Sequence, residues 1–320
     1  MEKIIKVLII GLGNIAYKYD ANLPNNYILT HLRAFEQHSN FSVVGVIDKS
    51  KKAIKKFTDN FNYKAFCSIR DASKILKPEL IVVSSPPNTH LKVVEEIFTF
   101  CSPKYLVCEK PLADDLKKSK KIIQICKKNK CILFINFQRN SSITSNLIKT
   151  KISNNEFLPP YRVVMWYSRG FENTASHFIT LFNSFFGKSL NSKIIDSKNS
   201  ELYFKIDYKN CEAFFIPVVS DFFYNSFELI CKNGKLIYEN GGETSSWFPI
   251  DDSKKSYSEY NILSKVGEPI KSDFYHSQYS FVENIWKFIQ GEKHSICMSE
   301  NVTDTLEIIN YLKIKKNEIR

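Results

Sequence analysis

Hydrophobic and polar positions follow two different rhythms along this chain. The first half carries short, nearly continuous apolar runs: Ile4-Ile5-Lys6-Val7-Leu8-Ile9-Ile10, Ser42-Val43-Val44-Gly45-Val46-Ile47-Asp48, Leu80-Ile81-Val82-Val83-Ser84, Tyr105-Leu106-Val107-Cys108-Glu109 and Cys131-Ile132-Leu133-Phe134-Ile135-Asn136. Runs of this length and β-branched content suit parallel strands covered on both faces. Helix-like stretches at about 50–60, 89–100 and 113–129 separate them, which predicts the βαβ alternation of a doubly wound parallel sheet. From about residue 140 the rhythm changes. A helix-like segment, Ser142 to Lys149, leads to a strand, Arg162-Val163-Val164-Met165-Trp166-Tyr167, and then a helix from about 175 to 186. Strand-like runs follow at 200–207, 211–218, 225–231 and 234–239, with Asn233-Gly234 as a hairpin-type turn before the last. That succession predicts a largely antiparallel sheet, closed by helices at about 273–290 and 300–316, with 241–269 reading as loop. The expected fold class is therefore α/β, with one domain over 1–137 and an α+β domain with a largely antiparallel sheet over 138–320.

Composition narrows the partners. The 320 residues exceed a typical single domain of roughly 100–200, and the formal net charge is +12. Of the 45 basic residues only six are arginine, and the lysines are spread out. Bidentate phosphate clamping or base readout would favour arginine-rich stripes, so no nucleic-acid partner is expected. The excess charge is either a solvated basic surface or an attraction for phosphorylated ligands. The eight cysteines form no Cys-x-x-Cys pair, and several lie in apolar runs, which suits reduced thiols and no metal. No run reaches the ~18–20 apolar residues of a membrane helix, and Met1-Glu2-Lys3 lacks the layout of a signal peptide. The expectation is a cytoplasmic protein without a membrane partner.

The first strand ends in Gly11-Leu12-Gly13-Asn14-Ile15-Ala16, which fits G-x-G-x-x-A. The first glycine permits the tight turn, and the second lets a pyrophosphate approach the backbone, here near Asn14 and Ile15. The second strand ends in Asp48, placed to accept hydrogen bonds from an adenosine ribose. Alone the glycine motif is weak; between these two strands it predicts a Rossmann dinucleotide site. Asp48 should repel a 2′-phosphate and favour NAD, while Lys49, Lys51 and Lys52 soften that preference and keep NADP open. Asp48 lies further from the glycines than the usual ~20 residues. The excess maps to Tyr17–Thr30, an inserted loop that either touches substrate or nicotinamide or is plain surface.

Two further segments stand out: Ser84-Ser85-Pro86-Pro87-Asn88-Thr89-His90, and Glu109-Lys110-Pro111 at the end of a strand. With the glycine turn before them and Ser176-His177 after them, the chain resembles the glucose-fructose oxidoreductase / inositol dehydrogenase family, Gfo/Idh/MocA, over its whole length. Tyr167-Ser168-Arg169-Gly170 and Asn173-Thr174-Ala175-Ser176-His177-Phe178 carry a weaker resemblance to members associated with activated sugars and surface polysaccharides. The resemblance implies that Lys110 contacts the reacting oxygen and that Pro111 follows a cis peptide. The residues agree. A lysine at the carboxyl end of a buried strand, partly desolvated and near another cation, has its pKa lowered towards the range of an acid or base. Glu109 either orients Lys110, packs near the nicotinamide ribose or forms a structural ion pair.

The resemblance also implies a catalytic role for His177, a residue type that titrates near neutrality. The family's aspartates before and after this histidine are replaced by Asn173 and Thr180, so His177 either moves the proton or binds and polarises oxygen while Lys110 does so. Ser84, Ser85, Pro86, Asn88 and His90 are expected to border the cofactor, with helix capping the plain alternative for Asn88. Arg139 either holds a substrate hydroxyl or phosphate or forms an ion pair. Tyr167, Arg169 and Asn173 are expected on the substrate side, with Tyr275 and His276 as weaker candidates. The implied activity is NAD(P)-dependent hydride transfer to or from a secondary alcohol or ketone carbon of a sugar, nucleotide- or phosphate-activated. A free polyol such as inositol as substrate, or a non-catalytic dinucleotide sensor, are the alternatives. An exposed sheet face with Phe204, Phe214 and Phe215 is expected to mediate a homo-oligomer, dimer or tetramer.

Overall fold

The computed structural model describes residues 4–198, 201–251 and 260–319. Met1-Glu2-Lys3, residue 200 of the first second-half strand run, 252–259 of the expected loop, and residue 320 lie outside the described residues. The chain divides into two compact units: Met1–Ser141 with Tyr275–Val302, and Ser142–Phe274 with Thr303–Arg320.

In the first unit β1 (Ile5–Ile10), β2 (Phe41–Ile47), β3 (Ala65–Phe66), β4 (Leu80–Val83), β5 (Tyr105–Cys108) and β6 (Ile132–Ile135) form one sheet in the order β3-β2-β1-β4-β5-β6. Every pairing in it is parallel. Helices α1 (His31–Gln37), α2 (Lys51–Thr58), α3 (Ile69–Ile75), α4 (His90–Phe100), α5 (Leu116–Lys128) and the short α6 (Gln138–Ser141) connect or follow the strands. Five of the six begin after a sequence signal or a defined turn. Thr30, Ser50, Ser68 and Asp115 each accept a backbone N–H of the first turn of α1, α2, α3 and α5, and a turn at Pro87–Thr89 opens α4. The order reverses between β1 and β4, the place where a sheet of this topology leaves a crevice at its carboxyl ends.

The second unit is built on an eight-stranded sheet. Helix α7 (Ile143–Ser153) precedes β7 (Tyr161–Tyr167), and α8 (Ser176–Phe186) precedes β8 (Asn191–Lys198), β9 (Glu201–Tyr208), β10 (Cys211–Pro217), β11 (Asn225–Cys231), β12 (Gly234–Glu239), β13 (Thr244–Pro249) and β14 (Glu268–Pro269). The order is β14-β13-β12-β11-β7-β10-β9-β8, with β7 and β10 parallel and the remaining neighbours antiparallel. Strands β8, β13 and β14 are additions to the strands read from the sequence, two of them inside the expected loop. Phe178, Phe182 and Phe185, spaced along one face of α8, pack with Met165, Phe204, Phe215 and Phe227 in one buried cluster.

That packing corrects one expectation. Phe204 and Phe215 are fully buried and stacked, ring centroids 4.6 Å apart, so they belong to the core and not to an exposed face. The opposite face carries Val164, Phe214 and Ile237, with Trp166 and Ile230 exposed to 36% and 42%. The reason is the two-residue period: Phe214 and Phe215 are neighbours and must point to opposite sides.

Helices α9 (Ser277–Ile289) and α10 (Ser299–Ile319) end the fold. Phe281, Val282 and Ile285 of α9 are buried in the first unit's core with Phe35, Phe41 and Phe134. The chain therefore returns to its first unit after building most of the second.

Candidate functional site

Gly11 ends β1 with φ of +98°, and a Cβ there would lie 2.8 Å from the backbone of Ser84 and Ser85. The close approach of the segments that follow β1 and β4 needs a glycine for internal reasons. Gly13 is different. A Cβ on it would come no nearer than 3.8 Å to its nearest neighbour, the Ser84 carbonyl oxygen, so the space above it is open to a ligand. Ser84 braces this approach by donating its hydroxyl to the carbonyls of Ile10 and Gly11, both at 3.0 Å. Asp48, just past β2, accepts the Leu12 N–H on Oδ2 and the Ser50 N–H on Oδ1, each at 2.8 Å. Its carboxylate is thereby fixed beside the glycine turn.

A cavity of about 640 Å³ runs along these elements, with Gly11, Gly13, Asp48, Ser84, Ser85 and Pro86 in its wall. This brings together six of the expected cofactor residues around a space of the size of a small-molecule site. Lys18, Ser68, Ile69 and Thr89 also line it and were missed. Ser68 and Ile69 had a readable signal, since Ser68 with Asp71 three positions later is the pattern of a helix start. Asn14, Ile15, Asn88, Glu109 and Lys110 are not in this wall. Nor is His90. His90 is wholly buried, with Nε2 2.6 Å from the Ser85 carbonyl oxygen and Nδ1 3.1 Å from that of Leu112, so it braces the loop after β4 against the segment after Lys110.

Lys110 follows β5 directly, and its peptide bond to Pro111 is cis, as the resemblance implied. Its ammonium is half-buried, and its pKa is pushed down to about 8. Burial is the main cause; the Arg139 guanidinium acts in the same direction and the Glu109 carboxylate against both. Arg139, on α6, is thus placed by its charge near Lys110. Glu109 is itself buried. Burial alone would raise its pKa, but hydrogen bonds from His31 and Asn136, with the charge of Lys110, hold it below the ordinary carboxylate value. The contacts are His31 Nε2 at 2.7 Å and Asn136 Nδ2 at 2.6 Å on Oε1, and the Lys110 N–H at 3.3 Å on Oε2.

The remaining candidates of the second half lie on the second unit, apart from Tyr275 and His276. His177 is buried in the first turn of α8, after a turn at Phe171–Ala175 that leaves Asn173 exposed. Thr180 donates to the Ser176 carbonyl and lies 3.1 Å from the Thr305 hydroxyl, tying α8 to α10. Arg169 is exposed, with φ of +61°, and its guanidinium sits 5.2 Å from the Phe223 ring centroid. Tyr167 is a correction: it is fully buried and its hydroxyl donates to the Leu202 carbonyl, which makes it a core residue. Tyr275 and His276 are exposed on the first unit, where Tyr275 accepts the Ile28 N–H at 2.7 Å and packs its ring on Tyr27.

Residues 5–137 match the family described as an oxidoreductase family with an NAD-binding Rossmann fold, GFO_IDH_MocA. This stretch is a Gfo/Idh/MocA domain. The chain matches no curated protein by sequence. Its fold is shared by solved structures over nearly the full length of each. The WlbA dehydrogenase of Bordetella pertussis, in complex with NADH and UDP-GlcNAcA, is 15% identical with a TM-score of 0.73, covering 99% of this chain and 98% of that one. An oxidoreductase from Agrobacterium radiobacter in complex with NAD+, L-tartaric acid and magnesium gives 12% and 0.73, covering 100% and 98%. An NAD binding oxidoreductase from Klebsiella pneumoniae gives 9% and 0.77, covering 99% and 98%.

A Gfo/Idh/MocA domain of this kind is the NAD-binding part of an oxidoreductase. The open space over Gly13 and the tethered carboxylate of Asp48 fit a dinucleotide. Among the described residues no group of three or more His, Cys, Asp or Glu is placed to hold a metal ion, and no helix is long and apolar enough to cross a membrane.

Proposed function

We propose that this chain is an NAD-dependent sugar dehydrogenase or reductase that interconverts a secondary alcohol and a ketone on a nucleotide- or phosphate-activated sugar, in the assembly of a surface glycan. The observation that carries the reading is Lys110, a half-buried amine at a strand end whose pKa is pushed down to about 8. When bound, the nicotinamide supplies the hydride acceptor or donor. Lys110 takes the hydroxyl proton as the alcohol is oxidised, or returns it as the ketone is reduced, with its pKa close to the working pH. His177 is assigned a second proton-handling or oxygen-polarising role, and Arg169 and Asn173 are assigned to the substrate. Arg139 serves Lys110 by its charge. The WlbA complex with UDP-GlcNAcA supports an activated sugar, and the resemblance in residues 167–178 supports the same class. Asp48 favours NAD; Lys18 and Lys49 in the same cavity wall leave room for NADP.

The open sheet face with Trp166 and Ile230 is assigned to a homo-oligomer, since an apolar sheet face needs covering.

The experiment is nicotinamide absorbance with NAD+ or NADP+ against nucleotide-activated hexoses and N-acetylated amino sugars, with free sugars and inositols alongside. Reduction with an activated sugar, abolished in Lys110→Ala, supports the reading. Turnover of inositol alone moves the substrate to a free polyol. Silence from protein that still binds NADH favours a sensor.

A further inference from the structure

Beneath Lys110 lies a buried polar chain drawn from four separate places in the sequence. Glu109 Oε1 meets His31 Nε2 at 2.7 Å and Asn136 Nδ2 at 2.6 Å. Asn136 Nδ2 also donates to Gln278 Oε1 at 3.2 Å, and Gln278 Nε2 lies 2.9 Å from His31 Nδ1. The loop is closed, and His31, Asn136 and Gln278 are at most 2% exposed.

One charge fixes every orientation in it. An ionised Glu109 only accepts, so Asn136 must present its amide nitrogen, even though this leaves its Oδ1 without a hydrogen-bond partner among the described residues. The same nitrogen then requires the carbonyl of Gln278, which turns the Gln278 amide nitrogen towards His31. Facing that donor, Nδ1 must be bare, and Nε2 must carry the proton that His31 gives to Glu109. The amide of Gln278 also blocks any proton from passing through the ring.

We infer that His31, Asn136 and Gln278 are positioning residues that hold Glu109 as a fixed carboxylate under Lys110, acting as a static clamp and not as a proton wire. The inserted segment Tyr17–Thr30 serves the clamp. Asp20, buried within it, accepts the N–H groups of Leu29 and Thr30 at 2.7 and 2.9 Å and the Thr30 hydroxyl at 2.8 Å. Thr30 then caps the helix that begins with His31. On the other side Ile28 N–H bonds the Tyr275 carbonyl, three residues before Gln278. The insertion and the returning segment are knit together where His31 meets Gln278. The clamp adds to the lysine-based chemistry proposed above and rests on it for its use.

Two readouts need no turnover. In ¹⁵N-histidine-labelled protein at pH 8, His31 is expected with Nε2 protonated and Nδ1 bare. In Gln278→Glu, where a carboxylate faces Nδ1, both nitrogens become protonated. In Glu109→Gln, the pH midpoint for acylation of Lys110, followed by peptide mass spectrometry, drops by about one unit or more, because Arg139 and burial then act unopposed. Once a substrate is known, Gln278→Met lowers kcat about ten- to a hundredfold, with NADH affinity unchanged and partial rescue by Gln278→Glu. A proton on Nδ1 in the wild type, an unmoved Lys110 midpoint, or full kcat in Gln278→Met overturns the clamp. If no sugar is turned over, the first two results still decide it, separately from the proposed activity.

Discussion

The two glycines of the dinucleotide turn should fail in opposite ways when replaced. In Gly11→Ala the backbone keeps φ of +98°, a conformation that costs an L-residue ~1–2 kcal/mol. The new Cβ also lies 2.8 Å from main-chain atoms of Ser84 and Ser85, which cannot yield as a flexible side chain would, and overpacking of this kind costs ~1–3 kcal/mol. The sum is about 2–5 kcal/mol, and at ~2–4 °C per kcal/mol the first unit should melt about 4–20 °C lower. Gly13→Ala meets nothing nearer than 3.8 Å and has φ of −81°, so the melt should stay level or rise slightly. Its methyl group instead occupies the space the pyrophosphate needs. The same ~1–3 kcal/mol then falls on binding, a weakening of about 5- to 150-fold for NADH. Thermal melts without ligand and fluorescence titration with NADH separate the two. A Gly13→Ala protein that melts as low as Gly11→Ala, or that binds NADH as tightly as the wild type, would refute the reasoning.

Oxidation of an alcohol substrate should rise with pH and level off above about 8, the value to which Lys110 is depressed, while ketone reduction should fall above it; a flat profile in both directions removes Lys110 as the proton-handling group. The same depression has a stability sign: between about 8 and 10.5 the unfolded chain binds the extra proton, so the cost of burying the Lys110 charge is relieved and stability rises with pH across that window, and the Lys110→Met protein should lose this slope in denaturant melts. Asp48→Ala should weaken NAD binding more than NADP binding, and equal losses in calorimetry would contradict the ribose contact. Phe182→Ala removes a fully buried ring 5.2 Å from that of Phe227 and should cost ~3–5 kcal/mol in the second unit, read by urea unfolding. Trp166→Glu should leave the fold intact and shift sedimentation towards the monomer.

Much of this was readable from residue pattern, for identifiable reasons. The strands at Leu80–Val83 and Tyr105–Cys108 are continuous apolar runs, and covered parallel strands leave no ambiguity of face. Strands β3 and β14 are two residues long, too short to show any period. Phe204 alternates with Lys205 and Asp207 in β9, so its inward direction was legible, but alternation gives two faces and does not say which one a helix will cover. In the site, glycines and Glu109-Lys110-Pro111 announce themselves because backbone geometry and chemistry restrict them to few residue types. Gln278 has no such mark. It matters only through an imidazole 247 positions earlier in the chain, and one glutamine on an amphipathic helix gives no sign of its partner. Tyr167 misled for a related reason: a hydroxyl-bearing ring at a strand end suits a substrate contact or a core, and only the Leu202 carbonyl decides.

The return of α9 to the first unit sets a timetable for the newborn chain. When synthesis reaches Ser141 all six parallel strands exist, yet the surfaces that receive Phe281, Val282 and Ile285 are bare, and Glu109 still lacks Gln278. The nucleotide-binding half must wait, apolar and incomplete, for more than a hundred further residues. A gene fragment cut after residue 141 should accordingly aggregate, and the same fragment supplied with a peptide spanning 275–302 should become dispersible.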